Sequence, residues 1–222
     1  SDQNVYVAGN FQTLFVYTTK GDIAVCKDSD ELVRVAIGTD GTLWIADSAQ
    51  TAGVRAGQLP IELPLVSAIF PISGVTGAGL SQHESSASSP KPNQHRASFV
   101  STSDTWLMWK KVLPSLMGSA PVLRVHGYMD TATSGVIGFG VQVAAMTDGD
   151  LSIDAKAFGT TNLGSETVPA NSKTKFVLDI ALTNLDSWAK DDEVIIGLYR
   201  NTAVGSNASG ICYVTHAQIM YG

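Results

Sequence analysis

The residues of this chain that could do chemistry are few: four histidines, two cysteines, twenty carboxylates and four tryptophans in 222 residues. His83 and His95 stand in a Ser- and Pro-rich stretch, and His126 and His216 stand in alternating apolar runs. None has the spacing of a zinc ligand set, and a hydrogen-bonded histidine on a polar strand face is the plainer reading. No Gly-x-Ser-x-Gly nucleophile elbow occurs. Asp148-Gly149-Asp150 with Asp154 offers oxygen atoms of the kind Ca²⁺ takes, although a solvated turn explains the same residues. Asp191-Asp192-Glu193 are consecutive carboxylates, so on a strand they point to alternate faces, a poor geometry for a glycosidase pair. Trp106, Trp109 and Trp188 are candidates for a sugar-stacking platform. Gly135, Gly138 and Gly140 run along a strand rather than opening a helix, which excludes a phosphate cradle. Asn207-Ala208-Ser209 has the form of a glycosylation sequon but reads as a turn. No catalytic constellation emerges, and neither an enzyme activity nor a cofactor is expected.

The elements that carry these residues are strands. Val122 to Met129 alternates, with Leu123, Val125 and Met129 on one face and Arg124, His126 and Tyr128 on the other, the period of a half-buried strand. Val136 to Met146 places Ile137, Phe139, Val141, Val143 and Ala145 on one face. Its other face, with Gly138, Gly140, Gln142 and Ala144, is almost bare. Glycines inside a strand mark close approach by another backbone, so Gly138 and Gly140 are the expected subunit interface. Further strands are expected at Ala97 to Val100, Trp106 to Leu113, Phe176 to Leu182, Glu193 to Arg200 and Ile211 to Tyr221. Phe176, Leu178, Ile180 and Leu182 face the core. Seven or eight such strands suit an antiparallel sandwich.

Towards the N-terminus the runs shorten: Val5 to Ala8, Phe11 to Thr18, Ile23 to Cys26, Leu32 to Ile37 and Leu43 to Ala46. Asp40-Gly41 between apolar runs predicts a hairpin over Val33 to Ala46. Pro60 and Pro64 break regular structure from Ala52 to Leu65. Residues 73 to 96 are rich in Ser, Gly and Pro and end in Ser85-Ser86-Ala87-Ser88-Ser89-Pro90-Lys91-Pro92-Asn93, a composition that cannot build a core. The expected organisation is all-β: an N-terminal short-stranded attachment region over 1–65, a linker over 66–97 and a C-terminal sandwich over 98–222.

Composition narrows the partners. With 44% hydrophobic and 15% charged residues, the chain can bury a core yet carries less charge than is usual, so part of its surface is expected to be covered. A net charge of −6 excludes wrapping nucleic acid, which needs clustered Lys and Arg. No run approaches the ~20 apolar residues of a membrane span, so membrane insertion is not expected. Ser1-Asp2-Gln3-Asn4 has neither the basic nor the apolar region of a secretory leader, and Ser1 is expected to follow a removed Met in a nearly complete chain made in the cytoplasm. Cys26 and Cys212, far apart, read as small buried hydrophobes.

Two stretches carry a resemblance. Pro114, the Val122 to Tyr128 run, Thr133-Ser134-Gly135-Val136, Gly149-Asp150, and Asp192 through Arg200 with a closing strand ending at Tyr221 resemble a jelly-roll domain frequent in bacteriophage virion proteins. Ile37-Gly38-Thr39-Asp40-Gly41-Thr42-Leu43-Trp44, followed by Ala46-Asp47-Ser48-Ala49 and Gly53-Val54, is similar to a segment common in phage tail-fibre and other virion proteins. Trp44 stands where a smaller aliphatic residue is usual, and Arg55 where an aromatic often follows. The resemblance implies a structural virion protein at the capsid exterior, a decoration protein or short head fibre, assembled as a homotrimer. The major capsid protein is the implied partner, with Gly38, Thr39, Asp40, Gly41 and Trp44 in the attachment segment. The alternative it implies is a tail fibre or receptor-binding protein that recognises host-surface glycans. The absence of heptads and extended repeats disfavours a long fibre.

Overall fold

A computed structural model describes residues 60–114, 120–149 and 153–221, together with the backbone of four short strands before them. The chain divides into two compact units, Ser1–Gly57 and Gln58–Gly222. In the first, β1 (Ile23–Cys26) pairs antiparallel with β2 (Leu32–Val35), and β3 (Leu43–Ala46) pairs antiparallel with β4 (Val54–Gly57). The hairpin expected over Val33 to Ala46 is therefore replaced: β2 and β3 each pair with their other neighbour in the chain. Val54 to Gly57, expected as irregular extended chain, is the partner of β3. The strands expected at Val5 to Ala8 and Phe11 to Thr18, and Gly38, Thr39, Asp40 and Gly41, lie outside the described residues. Trp44 lies in β3.

The second unit is an all-β sandwich. Its strands are β5 (Ile61–Glu62), β6 (Thr76–Gly77), β7 (Gly79–Glu84), β8 (Asn93–Phe99), β9 (Thr105–Val112), β10 (Val122–Met129), β11 (Val136–Met146), β12 (Asn162–Thr167), β13 (Lys175–Ala181), β14 (Glu193–Arg200) and β15 (Cys212–Met220). One sheet has the order β13-β10-β15-β8-β7, with β5 also paired to β15, and the other has the order β12-β11-β14-β9-β6. The pairing is antiparallel except between β6 and β9. Such sequence-distant neighbours are what a jelly roll requires: β10 lies between β13 and β15, and β14 between β11 and β9.

Alternation decides which side of each strand meets the core. Ile137, Phe139, Val141 and Val143 of β11 are completely buried, as are Leu123 and Val125 of β10, Ile180 of β13, and Val194, Ile196 and Leu198 of β14. Each such side chain contributes about 1.5–3 kcal/mol by leaving water. Phe99 and Phe139 meet edge to face across this layer, with ring centroids 5.3 Å apart. In β15, Thr215 has no opposite residue in the ladder with β10, because the register shifts between His126 and Gly127. This bulge lets Val214 and Ala217 both face inward although two residues separate them.

The boundary between the units differs from the sequence expectation. Residues 66–97, expected as a linker, contribute β6, β7 and most of β8 to the two sheets. The preceding segment belongs to the core as well: Leu63 and Leu65 are buried, and the Trp109 indole donates a 3.0 Å hydrogen bond to the Pro64 carbonyl. The Ser- and Pro-rich composition holds only for the connection between β7 and β8. On either side, buried Ala78, Ala97 and Phe99 tie these strands to the core.

Two buried polar side chains tie the sandwich together. Asn162 at the start of β12 accepts from the backbone N–H of Thr183 (2.9 Å) and Asn184 (2.8 Å), and its amide donates to the carbonyls of Asn184 (2.9 Å) and Val141 (3.3 Å). It thereby links the end of the β13 strand to the opposite sheet. Arg200, at the inward-facing end of β14, is fully buried. Its guanidinium donates to the carbonyls of Phe99 (3.1 Å), Gly210 (2.6 Å) and Ala208 and to Asn207 Oδ1 (3.2 Å). Burial pushes its pKa below the ordinary arginine value. Carbonyl dipoles take the place of a carboxylate partner, and the loop from Asn201 to Ile211 is folded around the cation.

Replacing Arg200 with Met keeps much of the volume and strands those carbonyls. Arg200→Met is expected to destabilise the protein by about 2–4 kcal/mol in chemical denaturation, the usual result of removing one side of a buried charged network. A loss under about 0.5 kcal/mol would show that the loop is held by other contacts.

Candidate functional site

The outer faces of the two sheets differ in chemistry. On the sheet built around β10 and β15, outward positions assemble a polar strip that crosses several strands. Arg124 and Asp179, opposite each other on β10 and β13, form a two-pronged ion pair with both contacts at 2.7 Å. Its hydrogen bonds hold the Asp179 carboxyl below the usual carboxylate range and raise Arg124 above its own. Beside them His126 and His216 face one another with ring centroids 5.4 Å apart, and His216 Nε2 lies 3.1 Å from Glu62 of β5. Gln218, opposite Arg124 on β15, completes a row of planar polar groups.

The neighbouring row is aromatic. Tyr128 and Tyr213 sit opposite each other with rings 5.3 Å apart, and the Arg96 guanidinium lies 3.8 Å from the centre of the Tyr213 ring. Arg96 also donates to the Tyr128 hydroxyl (2.9 Å) and to Ser81 Oγ (3.2 Å), which joins β7, β8, β10 and β15. Packing on aromatic faces suits a guanidinium better than an ammonium. His126 is perturbed as well: burial, then the charges of Lys175, His216 and Arg124, push it below the ordinary imidazole range. Its Nδ1 is buried without a hydrogen-bond partner.

On the opposite sheet one part of the outer face is apolar. The Trp106 ring of β9 stacks on the Tyr199 ring of β14, centroids 4.4 Å apart and 22° between planes, and Phe158 lies 6.0 Å from Trp106. Glycines make room for these rings. A Cβ on Gly140 would stand 2.3 Å from the Tyr199 ring, and one on Gly197 would stand 3.1 Å from Trp106 and 3.2 Å from Phe158. Beside the rings an open groove of about 560 Å³ runs between them and the segment from Ile69 to Val75.

This arrangement corrects two expectations. Gly138 and Gly140 do mark close approach, but the neighbours belong to the same chain: Val204 and the Asn201 carbonyl at Gly138, and Tyr199 at Gly140. The space that suggested a subunit interface is filled from within. The three tryptophans do not form a platform either. Trp109 is in the core, Trp188 packs partly against it, and Trp106 alone is on the outer face.

Other candidates prove structural. Asp192 accepts from Ala189 N–H (2.7 Å) and the Thr147 hydroxyl (3.1 Å), fixing the turn before β14, and Glu193 pairs with Lys110 at 2.8 Å. Asn207 serves Arg200. Cys212 is buried, and burial pushes its thiol up to about 12, while Cys26 lies in β1. His83 tilts against Tyr128, 6.3 Å between rings. Asp148 is exposed after β11, Asp150 lies outside the described residues, and no three His, Cys, Asp or Glu residues converge among the described ones. Sequence reading placed Arg124, His126 and Tyr128 on one face of β10 but did not find the strip, because its members come from strands far apart in the chain.

No known protein family matches the chain, and no curated protein does. Solved structures with a similar build include a family 35 carbohydrate-binding module from Clostridium thermocellum, 10% identical with a TM-score of 0.40, covering 74% of this chain and all of that one. A module described as specific for non-crystalline cellulose is 14% identical with a TM-score of 0.44, covering 70% of this chain and 89% of that one. The family 11 module from Clostridium thermocellum, solved with a β-1,3-1,4-mixed-linked tetrasaccharide, is 11% identical with a TM-score of 0.41, covering 73% and 96%. The likeness is one of β-sandwich build.

His126 gives the strip a pH signature. Its pKa is lower in the fold than in the unfolded chain, where it titrates near 6.5, so the unfolded state binds more protons as pH falls. The stabilisation from a neutral His126 is complete above the unfolded value and is lost as pH falls through the folded value. Denaturation measured at about pH 7.5 and about pH 5 is expected to show a larger acid loss for the wild type than for His126→Gln. Equal losses would remove His126 from the acid response.

Proposed function

We propose that this chain is a structural protein of a bacteriophage particle: a capsid decoration protein or short head fibre, working as a homotrimer at the capsid exterior. The single observation carrying this reading is the division of the chain. Residues 58–222 contain a core of their own, running among the described residues from Leu63 to Ile219, which is the property expected of a self-sufficient domain. Residues 1–57 form a separate unit, which is free to serve attachment. That unit contains the stretch resembling virion segments, with Gly38 to Gly41 and Trp44. In a trimer, three such arms meet the major capsid protein at a raised effective concentration, and avidity can gain a factor of roughly 10² to 10⁴.

Bare capsids mixed with the full chain or with residues 58–222 test this. The full chain is expected to co-sediment and the fragment to stay in solution. Equal binding by the fragment, or full-length protein found on tails and absent from capsids, overturns the reading.

The polar strip favours a second reading, a receptor-binding protein that takes a host-surface glycan. Sugar hydroxyls both donate and accept, and planar side chains such as Arg124, Asp179, Gln218 and His216 beside Tyr213 match them. In a screen against host surface polysaccharides, wild-type protein is then expected to bind and His216→Ala together with Gln218→Ala to weaken binding at least about tenfold, roughly 1.4 kcal/mol. No binding by the wild type, or unchanged binding by the double variant, removes the strip from that role.

A further inference from the structure

Arg96 of β8 is firmly held and yet has no anion. Its Nε donates to Ser81 Oγ at 3.2 Å, its Nη1 donates to the Tyr128 hydroxyl at 2.9 Å, and the guanidinium lies 3.8 Å from the centre of the Tyr213 ring. A guanidinium carries more N–H donors than these two bonds use, and Nη2 has no acceptor among the described residues. The Tyr128 hydroxyl, in accepting from Arg96, keeps its own proton to give and donates it to no described residue. Lys91, Lys110, Arg124 and Lys156 each pair with a carboxylate, whereas Arg96 and Lys175 pair with none among the described residues.

Lys175 stands at the same end of the polar strip. It is opposite Tyr128 in the pairing of β13 with β10, as Tyr213 is in the pairing of β15 with β10, so the two cations flank one tyrosine from either side. The sign of the charge there is felt at His126. Burial comes first among the causes that lower it; the charge of Lys175 comes next, ahead of His216 and Arg124, and Asp179 opposes them with less effect. The whole chain has 20 carboxylates against 14 Lys and Arg, so a local excess of positive charge runs against its average. The hydrogen-bonding capacity left over at this end is chiefly donor capacity. A neutral sugar hydroxyl uses donors and acceptors alike, while an oxyanion uses donors alone and binds charged ones most strongly.

We propose that Arg96, Tyr128 and Lys175 form an oxyanion site at one end of the strip, and that the glycan it takes is an acidic saccharide bearing a carboxylate or a sulfate or phosphate ester. The inference rests on the receptor-binding reading above and adds the charge class of its ligand. Arg96 offers a planar donor group already fixed by Ser81 and the two tyrosines, so little is left to order on binding. Lys175, exposed on β13, adds an ammonium on a flexible stem that adjusts to the anion. The net charge of −6 opposes non-specific capture of a polyanion, so retention of one points to this site.

Titration of the full chain with matched acidic and neutral polymers tests it: hyaluronate before and after reduction of its carboxyl groups to alcohols, dextran sulfate beside dextran, and phosphomannan beside mannan. At least one acidic polymer is expected to bind, with its neutral counterpart weaker by at least about tenfold, and the tightest of the three names the anion. Lys175→Gln and Arg96→Gln are each expected to weaken that binding by at least about tenfold. Lys111→Gln removes the same charge from β9 in the other sheet and is expected to bind as wild type. Because Lys175 is exposed, its variant is expected to melt as wild type, which keeps the test open if Arg96→Gln disturbs the fold. Failure of all three acidic polymers to bind, or an equal loss in Lys175→Gln and Lys111→Gln, overturns the proposal. Neutral polymers bound as tightly as acidic ones overturn it too, and leave the receptor-binding reading standing, since the strip then serves hydroxyls alone.

Discussion

Each strand of the sandwich has to turn its apolar side toward one shared layer, and the remaining architecture answers to that requirement. Leu123, Phe139, Ile180, Ile196 and Ile219, from five strands of both sheets, are all completely buried there. Because side chains alternate, a one-residue slip in any strand would exchange its core set for its outer set. The bulge at Thr215 shows the constraint being met locally: one unpaired residue restores the inward direction of Ala217. Arg200 meets it differently, since an inward-facing cation has no place in an apolar layer unless carbonyls surround it. The loop from Asn201 to Ile211, which supplies the carbonyls of Ala208 and Gly210, is shaped by the need.

With the inner faces committed to the core, function falls to the outer ones, and they diverge. One sheet carries arginines, histidines, carboxylates and tyrosines whose rings and charges satisfy one another across strands. The other carries glycines over which Tyr199, Trp106 and Phe158 pack, and next to them the exposed apolar side chains of the segment from Ile69 to Val75. Surface ion pairs contribute little to stability. Arg124 and Asp179 are better understood as ordering a surface than as holding the sandwich together. The apolar side has the opposite economy: its exposed side chains contribute nothing while they face water and gain only when another surface covers them.

Alternation and turn chemistry determined the strands that carry the fold. β10, β11 and β14 begin and end where the apolar period says they should, and the inward residues of β11 and β13 are those the pattern selects. The all-β sandwich follows, since so many half-apolar strands can be buried only in paired sheets. Composition misled where apolar residues were sparse. β7, with exposed Gly, Ser, Gln and Glu, has no face to read, and it exists because β8 offers it a ladder of backbone hydrogen bonds.

Which strands become neighbours was settled only in three dimensions. Asp179 meets Arg124 and Glu62 meets His216 across long loops, and nothing in the local pattern specifies such pairings. Gly138 and Gly140 make the same distinction in a single strand. Their type declared that something packs closely on β11, a local statement about missing side chains. That the neighbours are Val204 and Tyr199 of the same chain depends on the placement of β14 and its following loop, which the core pairing alone decides.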